Sequence, residues 1–293
     1  MTRMTMRPYV PADQAAVLDL VNADRLPGQP SVGPAMLNEA LKGADEGDNW
    51  WGAFGPPTVQ VAIDPAGELV GAISCAVRAK DDAGVVLWLH CREDEAVAEA
   101  LITRALAVLP TRPVEAFQFA TALTQGLEAL PVGHRPATHA ALERAGFVGE
   151  RLWRYMRADL PRPGLPRAEG ALAVPDPDRP AARRMEVRQD GRTVAEAVIG
   201  PPKQGIGVLW WIEVSPGARR QGLGRAMLGS ALDALTGLGA TQAVLYVDDD
   251  EPPGGERDRT AANALYESAG FVEVDRLWSY TLRAAESDPT SRS

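Results

Sequence analysis

The chain has 293 residues, 45% of them apolar and 24% charged, a balance that excludes wholesale disorder and leaves room for two domains of roughly 100 to 200 residues each. A formal charge of -9 argues against nucleic acid or an anionic membrane as a partner. The start, MTRMTMRPYVPADQ, has no apolar stretch of the kind a secretion signal needs. No later run approaches the roughly 18 apolar residues of a membrane span, so the expectation is a cytoplasmic protein.

In chain order, residues 6–10 read as a strand, 12–22 as a helix entered through Pro11, and 34–42 as a second helix. The apolar run GVVLWLHC at 84–91 and the segment ALITRAL at 100–106 follow, and this half ends in ERAGFVGERLWRYM at 143–156. Residues 160–180, LPRPGLPRAEGALAVPDPDRP, read as a linker, because repeated prolines deny helix and sheet their backbone donors. Beyond it, 185–198 reads as a hairpin around Asp190-Gly191, and 208–214 as a central buried strand. A helix is expected from Leu223, with apolar side chains at Met227, Leu228, Ala231, Leu232 and Leu235 and a stop at Gly237. A strand over 243–247, a helix over 261–268 ended by Gly270, and a closing strand or pair over 271–282 complete the chain.

The halves repeat each other. GVVLWLHC lies over GVLWWIEV at 207–214, ALITRAL over AMLGSAL at 226–232, and ERAGFVGERLWRYM over ESAGFVEVDRLWSYT at 267–281 with one gap. Two copies of a unit this long indicate paired domains rather than a solenoid. The expected division is 1–160, a linker at 161–180, a second domain at 181–285 and a disordered tail at 286–293. The second copy has no room for the helices that open the first, so it is truncated or leans on its partner.

The segment Ser215-Pro-Gly-Ala-Arg-Arg-Gln-Gly-Leu-Gly-Arg225 joins the central strand to its helix. Gly222 and Gly224 let backbone approach a ligand, the free N–H groups of a helix start point to the same place, and Arg219, Arg220 and Arg225 add charge that suits phosphate oxygens. An ordinary turn before a helix is the competing reading, and two glycines alone do not decide between them. A Rossmann loop would need a third glycine where Met227 stands, and a P-loop would need Gly-Lys-Ser/Thr. Cys75, Cys91, His90, His134 and His139 lack the spacing of a metal centre or a disulfide scaffold.

Arg219-x-x-Gly222-x-Gly224 after an apolar strand, followed by Ala264-Leu-Tyr-Glu-Ser-Ala-Gly-Phe271, resembles the acyl-CoA motif and C-terminal signature of the GNAT N-acetyltransferases. The fold this implies is mixed α/β, two tandem domains each with a mostly antiparallel central sheet flanked by helices. A worn unit beside an intact one is also similar to the plan of the mycothiol synthases. The resemblance implies that acetyl-CoA rests its pyrophosphate on the amides from Arg219 through Arg220, Gln221, Gly222, Leu223 and Gly224, with Arg225 adjacent. It implies a pantetheine arm beside the strand that carries Ile212 and Val214, with the Val214 N–H aimed at the thioester oxygen. Tyr266 falls where the family keeps a proton donor for the thiolate; on periodicity alone it would be a core tyrosine.

Three departures stand out. Arg259 replaces an asparagine that contacts the cofactor in many members, and would itself meet a CoA phosphate. Trp210 and Trp211 occupy the places of the usual strand carboxylate, leaving Glu213 and the acidic run Asp248, Asp249, Asp250 and Glu251 as candidates for the base, or as a merely solvated face. In the first half Glu93, Ala96 and Ala98 align with Arg219, Gly222 and Gly224, and Leu142 with Tyr266, so that half should not bind CoA and should serve as scaffold and substrate wall. His90 aligns with Glu213 and reads as a structural histidine; Trp50, Trp51 and Trp88 read as core or cleft lining. The implied activity is direct acetyl transfer to the primary amine of a small molecule. Its rivals are a non-catalytic acyl-CoA binding module, a structural pseudoenzyme pair, and an enzyme of the mycothiol synthase type.

Overall fold

The computed structural model describes residues 4–42, 54–109, 112–124, 128–177, 181–248, 254 and 258–283. Trp50 and Trp51 lie outside them. The chain forms two compact units: Met1–Leu26, Ser31–Leu152 and Arg276–Ser293 make unit 1, while Pro27–Pro30 and Trp153–Asp275 make unit 2. These units interleave along the chain, whereas the sequence reading divides it once, at the Pro-rich stretch.

Unit 1 opens with β1 (Thr5–Pro8), a 3-10 turn at Pro11–Asp13, α1 (Gln14–Ala23) and α2 (Pro34–Lys42). Next come β2 (Thr58–Ile63), β3 (Leu69–Arg78), β4 (Ala83–His90), α3 (Glu95–Val108), β5 (Val114–Ala116), the short β6 (Leu130–Pro131) and α4 (Pro136–Arg144). β1 through β4 pair antiparallel, and β5 joins β4 in parallel over three residues, Gly84–Val86 against Val114–Ala116. Ala83 through Leu89 are all buried, because α3 and α4 cover one face of the sheet while α1 and α2 cover the other. Trp88 sits in the second of these cores.

β7 (Val148–Asp159) passes from unit 1 into unit 2, which continues with β8 (Val174–Pro175), β9 (Arg183–Gln189), β10 (Arg192–Lys203) and β11 (Ile206–Val214). After a 3-10 turn at Pro216–Ala218 come α5 (Leu223–Gly237), β12 (Gln242–Asp248), α6 (Thr260–Ser268) and β13 (Val272–Leu282). Asp190 and Gly191, with φ of 50° and 76°, give the β9–β10 hairpin its expected tight turn. α5 ends at Gly237, the expected stop, and the left-handed turn that closes it lies two residues on. Gly239 takes φ 91°, and the amides of Gly239 and Ala240 close on the carbonyls of Thr236 and Leu235. The closing segment is a single strand.

Unit 2 repeats the pairing of unit 1: β8 to β11 antiparallel, then β12 parallel to β11 over Ile206–Val208 against Gln242–Val244. Each sheet is finished by a strand distant in sequence. Residues 280–282 of β13 pair with β5, and residues 153–159 of β7 pair with β12. Both copies carry a register shift opposite the central strand, at Ser74/Cys75 and at Val198/Ile199. Among the described residues, α5 and α6 cover one face of unit 2 and no helix covers the other. β11 accordingly changes from a buried run at Ile206–Leu209 to alternation from Trp210 onward.

The Pro-rich stretch is irregular apart from β8, and it packs on α5. The Ala168 amide donates to Ser230 Oγ at 2.9 Å, and the Pro166 carbonyl presses on Gly229, where a Cβ would come within 2.1 Å of it. Unit 2 also takes in Pro27–Pro30, whose Gly28 (φ 83°) lies against Val244, Tyr155 and Arg157 too closely for a side chain.

Candidate functional site

The segment after β11 folds into an open amide cradle. Ala218 N–H donates to Ser215 O, Arg220 and Gly222 take φ of 62° and 79°, and Gly222 becomes the N-cap of α5 with no side chain bonded over it. The amides from Arg220 to Arg225 find no hydrogen-bond partner among the described residues; the first inward bond is Ala226 N–H to Gly222 O at 3.0 Å. A Cβ on Gly222 would meet nothing within 4 Å, and one on Gly224 would make only ordinary contact with Val214 and Leu265. Open space therefore lies over an uncapped helix start, which is an arrangement suited to an anion. Of the arginines, Arg219 Nε donates to Val214 O at 2.9 Å, Arg225 Nη1 to Ser268 Oγ at 2.8 Å, and Arg220 is exposed. Gln221 bonds weakly to Gly217 O at 3.4 Å.

The same loop borders a gap in the sheet. Ser215 N–H donates to Val194 O at 2.9 Å, which makes Ala195 and Val214 a non-hydrogen-bonded pair and turns the N–H and C=O of Val214 toward the β12 side. Because β12 pairs with β11 only as far as Val208, the strands part there, and Ile212 and Val214 present their main chain to the opening. The carbonyl of Val214 is held by Arg219, and its amide points the same way.

Tyr266, on α6, is 7% exposed in the core beside Phe271, with ring centroids 6.0 Å apart. Its phenol finds no hydrogen-bond partner among the described residues. Burial pushes its pKa up to about 12, with Arg259 pulling it down and Asp248 adding to the rise. Asp248 has both oxygens engaged: Oδ1 accepts from Trp153 Nε1 at 3.0 Å and Oδ2 from Arg259 Nε at 2.9 Å. Arg259, expected at a phosphate, and Asp248, expected as a base, thus hold each other. Nothing in either local sequence shows this pairing. Glu213 is exposed on β11 directly opposite Glu196, and only Glu196 has a cation, Arg184 at 3.1 Å. Asp249, Asp250 and Glu251 lie outside the described residues.

Unit 1 closes the equivalent places with its own side chains. Asp94 is the N-cap of α3, and its Oδ1 accepts from Val97 N–H at 3.0 Å. Glu93, expected to occupy a phosphate cradle, turns instead to the start of α4, accepting from the amides of Ala137 (2.8 Å) and Thr138 (3.0 Å) and pairing with buried Arg135. Arg135 Nη2 also donates to Leu89 O at 2.9 Å and lies 3.4 Å from Asp24, which meets His90 Nδ1 at 3.2 Å. The cluster around Arg135 was not legible in the sequence, since its members come from three separate segments. No group of residues able to hold a metal ion occurs among the described residues.

Residues 148–271 match the family described as "Acetyltransferase (GNAT) family". A mycothiol acetyltransferase of Beutenbergia cavernae is 39% identical over 85 residues, 29% of this chain and 26% of that protein, so the match spans about a quarter of the relative's length. Among solved structures, a tandem GNAT protein from the clavulanic acid biosynthesis pathway aligns with a TM-score of 0.67 at 16% identity over 98% of this chain and 100% of the other. A GCN5-related N-acetyltransferase from Sphaerobacter thermophilus aligns at 0.62 and 17% identity over 95% of both. At these identities the two structures speak to fold alone. Residues 148–271 thus match the GNAT acetyltransferase family, and the fold of the chain is similar to that of tandem GNAT proteins.

Proposed function

We propose that unit 2 transfers an acetyl group from acetyl-CoA to the primary amine of a small molecule by direct attack in a ternary complex, in the cytoplasm and without nucleic acid or membrane as partner. The observation that carries this is the uncapped start of α5, with six unpartnered amides beside the Val214 N–H at the parting of β11 and β12. Acetyl-CoA, when bound, supplies the acetyl group as an activated thioester. The amides of Arg220 to Arg225 fit its pyrophosphate, and Arg219, Arg220 and Arg225 add positive charge around them. The Val214 N–H serves as donor to a carbonyl oxygen that gains charge during attack, a contribution of roughly 3 to 4 kcal/mol. Tyr266 delivers its phenolic proton to the departing sulfur, and Glu213, the carboxylate left unpaired on β11, accepts the amine's proton through water. Asp248 fixes Arg259 near Tyr266 and is a positioning group.

Unit 1 takes the part of scaffold, its α3 start capped by Asp94. A mycothiol-type acceptor, as in the name of the curated relative, is one specific version of this proposal. The Asp248–Arg259 pairing favours a second reading, an acyl-CoA binding module without turnover. Calorimetry with acetyl-CoA, followed by free-thiol release across a panel of amines, separates them. One molecule bound per chain with amine-dependent release is expected; binding without release for any amine leaves only the second reading.

A further inference from the structure

Strand alternation and pairing place Trp211 and Glu213 of β11, Glu196 of β10, Arg184 of β9, and Tyr246 and Asp248 of β12 on the face of unit 2 opposite α5. Carboxylates crowd that face: besides Glu196, Glu213 and Asp248 it carries Glu186 of β9, which stands directly across from Glu196 and has Arg188 3.3 Å away. Asp248 is answered by Arg259 and Glu196 by Arg184, but Glu213, directly across from Glu196, has no cation among the described residues. Like charges opposed across two strands destabilise the pair, and a cation supplied from outside would relieve this arrangement. Two residues before Glu213 stands Trp211, a residue 50% exposed on a central strand where burial is the rule. The residue after Glu213 is Val214, whose amide faces the parting of the strands.

An unneutralised carboxylate beside an exposed indole is the combination that recognises an organic cation with a flat apolar body. Resting on the acetyltransferase reading above, we infer that the acceptor is a primary ammonium carried on a short arm from an aromatic or similarly flat ring. Glu213 takes the ammonium and Trp211 stacks on the ring. The two residues are about 7 Å apart along the strand, which suits an arm of two or three carbons. Trp211 is a specificity-determining residue in this account: hydroxyl-rich and aliphatic amines lack the ring it selects, and a carboxylate on the acceptor would be repelled by Glu196 and Glu213.

The test uses the full chain with 2-phenylethylamine, n-butylamine, glucosamine and phenylalanine as acceptors. Thiol release should show at least a tenfold lower KM for 2-phenylethylamine than for the other three. Trp211→Ala should raise that KM at least tenfold while calorimetric affinity for acetyl-CoA is unmoved, and Trp211→Phe should restore most of the loss. Glucosamine or phenylalanine as the preferred acceptor, or an unchanged KM in Trp211→Ala, overturns the inference while the acetyltransferase reading stands. If no amine turns over, direct calorimetry of 2-phenylethylamine against both chains decides: equal affinities overturn it. Failure to bind acetyl-CoA at all instead sinks the underlying reading.

Discussion

Gly222 and Tyr266 carry the most specific expectations at the scale of single residues. With φ at 79°, Gly222→Ala should cost about 1 kcal/mol in stability, seen as a lowered melting temperature. Gly222→Glu should remove acetyl-CoA binding in calorimetry, because a carboxylate would enter the space over the unpartnered amides. Tyr266→Phe should leave that binding intact and lower kcat by about 100-fold, within the usual range for a proton donor. Because burial raises its pKa to about 12, the phenol keeps its proton through neutral and mildly alkaline solution. The pH–rate profile of the wild type should therefore show no alkaline fall attributable to Tyr266 below pH 10, and wild-type kcat in Tyr266→Phe at every pH would dismiss the role. The glycine-marked turn was readable in the sequence, since its requirement is local, whereas Tyr266 was singled out by the resemblance alone and stands in the core beside Phe271. The partnership of Asp248 with Arg259 was not readable, because it depends on how a strand end meets a helix start.

Among elements, α3 and α5 are the same helix put to different ends. Both follow a central strand, yet one is closed by the Asp94 carboxylate and the other is left open at a left-handed glycine. The approach of the Pro-rich stretch to α5 gives a second contrast. Replacing a mid-helix glycine by alanine ordinarily stabilises by roughly 0.5 to 1 kcal/mol. At Gly229 the sign should invert, because the new Cβ would meet the Pro166 carbonyl at 2.1 Å. The melting temperature of Gly229→Ala should fall, and hydrogen exchange at Ala168, whose amide bonds to Ser230, should quicken. A higher melting temperature with unchanged exchange would mean that 165–168 does not press on α5. Repeated prolines predicted the irregular backbone of this stretch correctly but gave no sign of its packing, which is fixed by Gly229 and Ser230 some sixty residues away.

For the whole molecule, the consequence of interleaved units is that neither should survive a cut made by sequence alone. Ending the chain at Asp275 removes Tyr280, 0% exposed, from the core of unit 1 and deprives β5 of its antiparallel neighbour. Loss of the cooperative unfolding transition is expected. A 181–285 fragment lacks residues 153–159, the strand that pairs with β12, and should likewise fail to fold. Cooperative melting of either truncated chain would show that its unit does not need the distant strand. What the sequence determined by itself was the duplication, the kind and order of most elements, and the glycine-marked cradle, because hydrophobic period, turn chemistry and helix starts act over a few neighbouring residues. Tertiary structure decided which strand completes which sheet, which carboxylates are neutralised, and which helix start stays open to a ligand. Those outcomes rest on pairings between distant segments, where the free energy lies in burial and charge compensation that no single stretch of sequence contains.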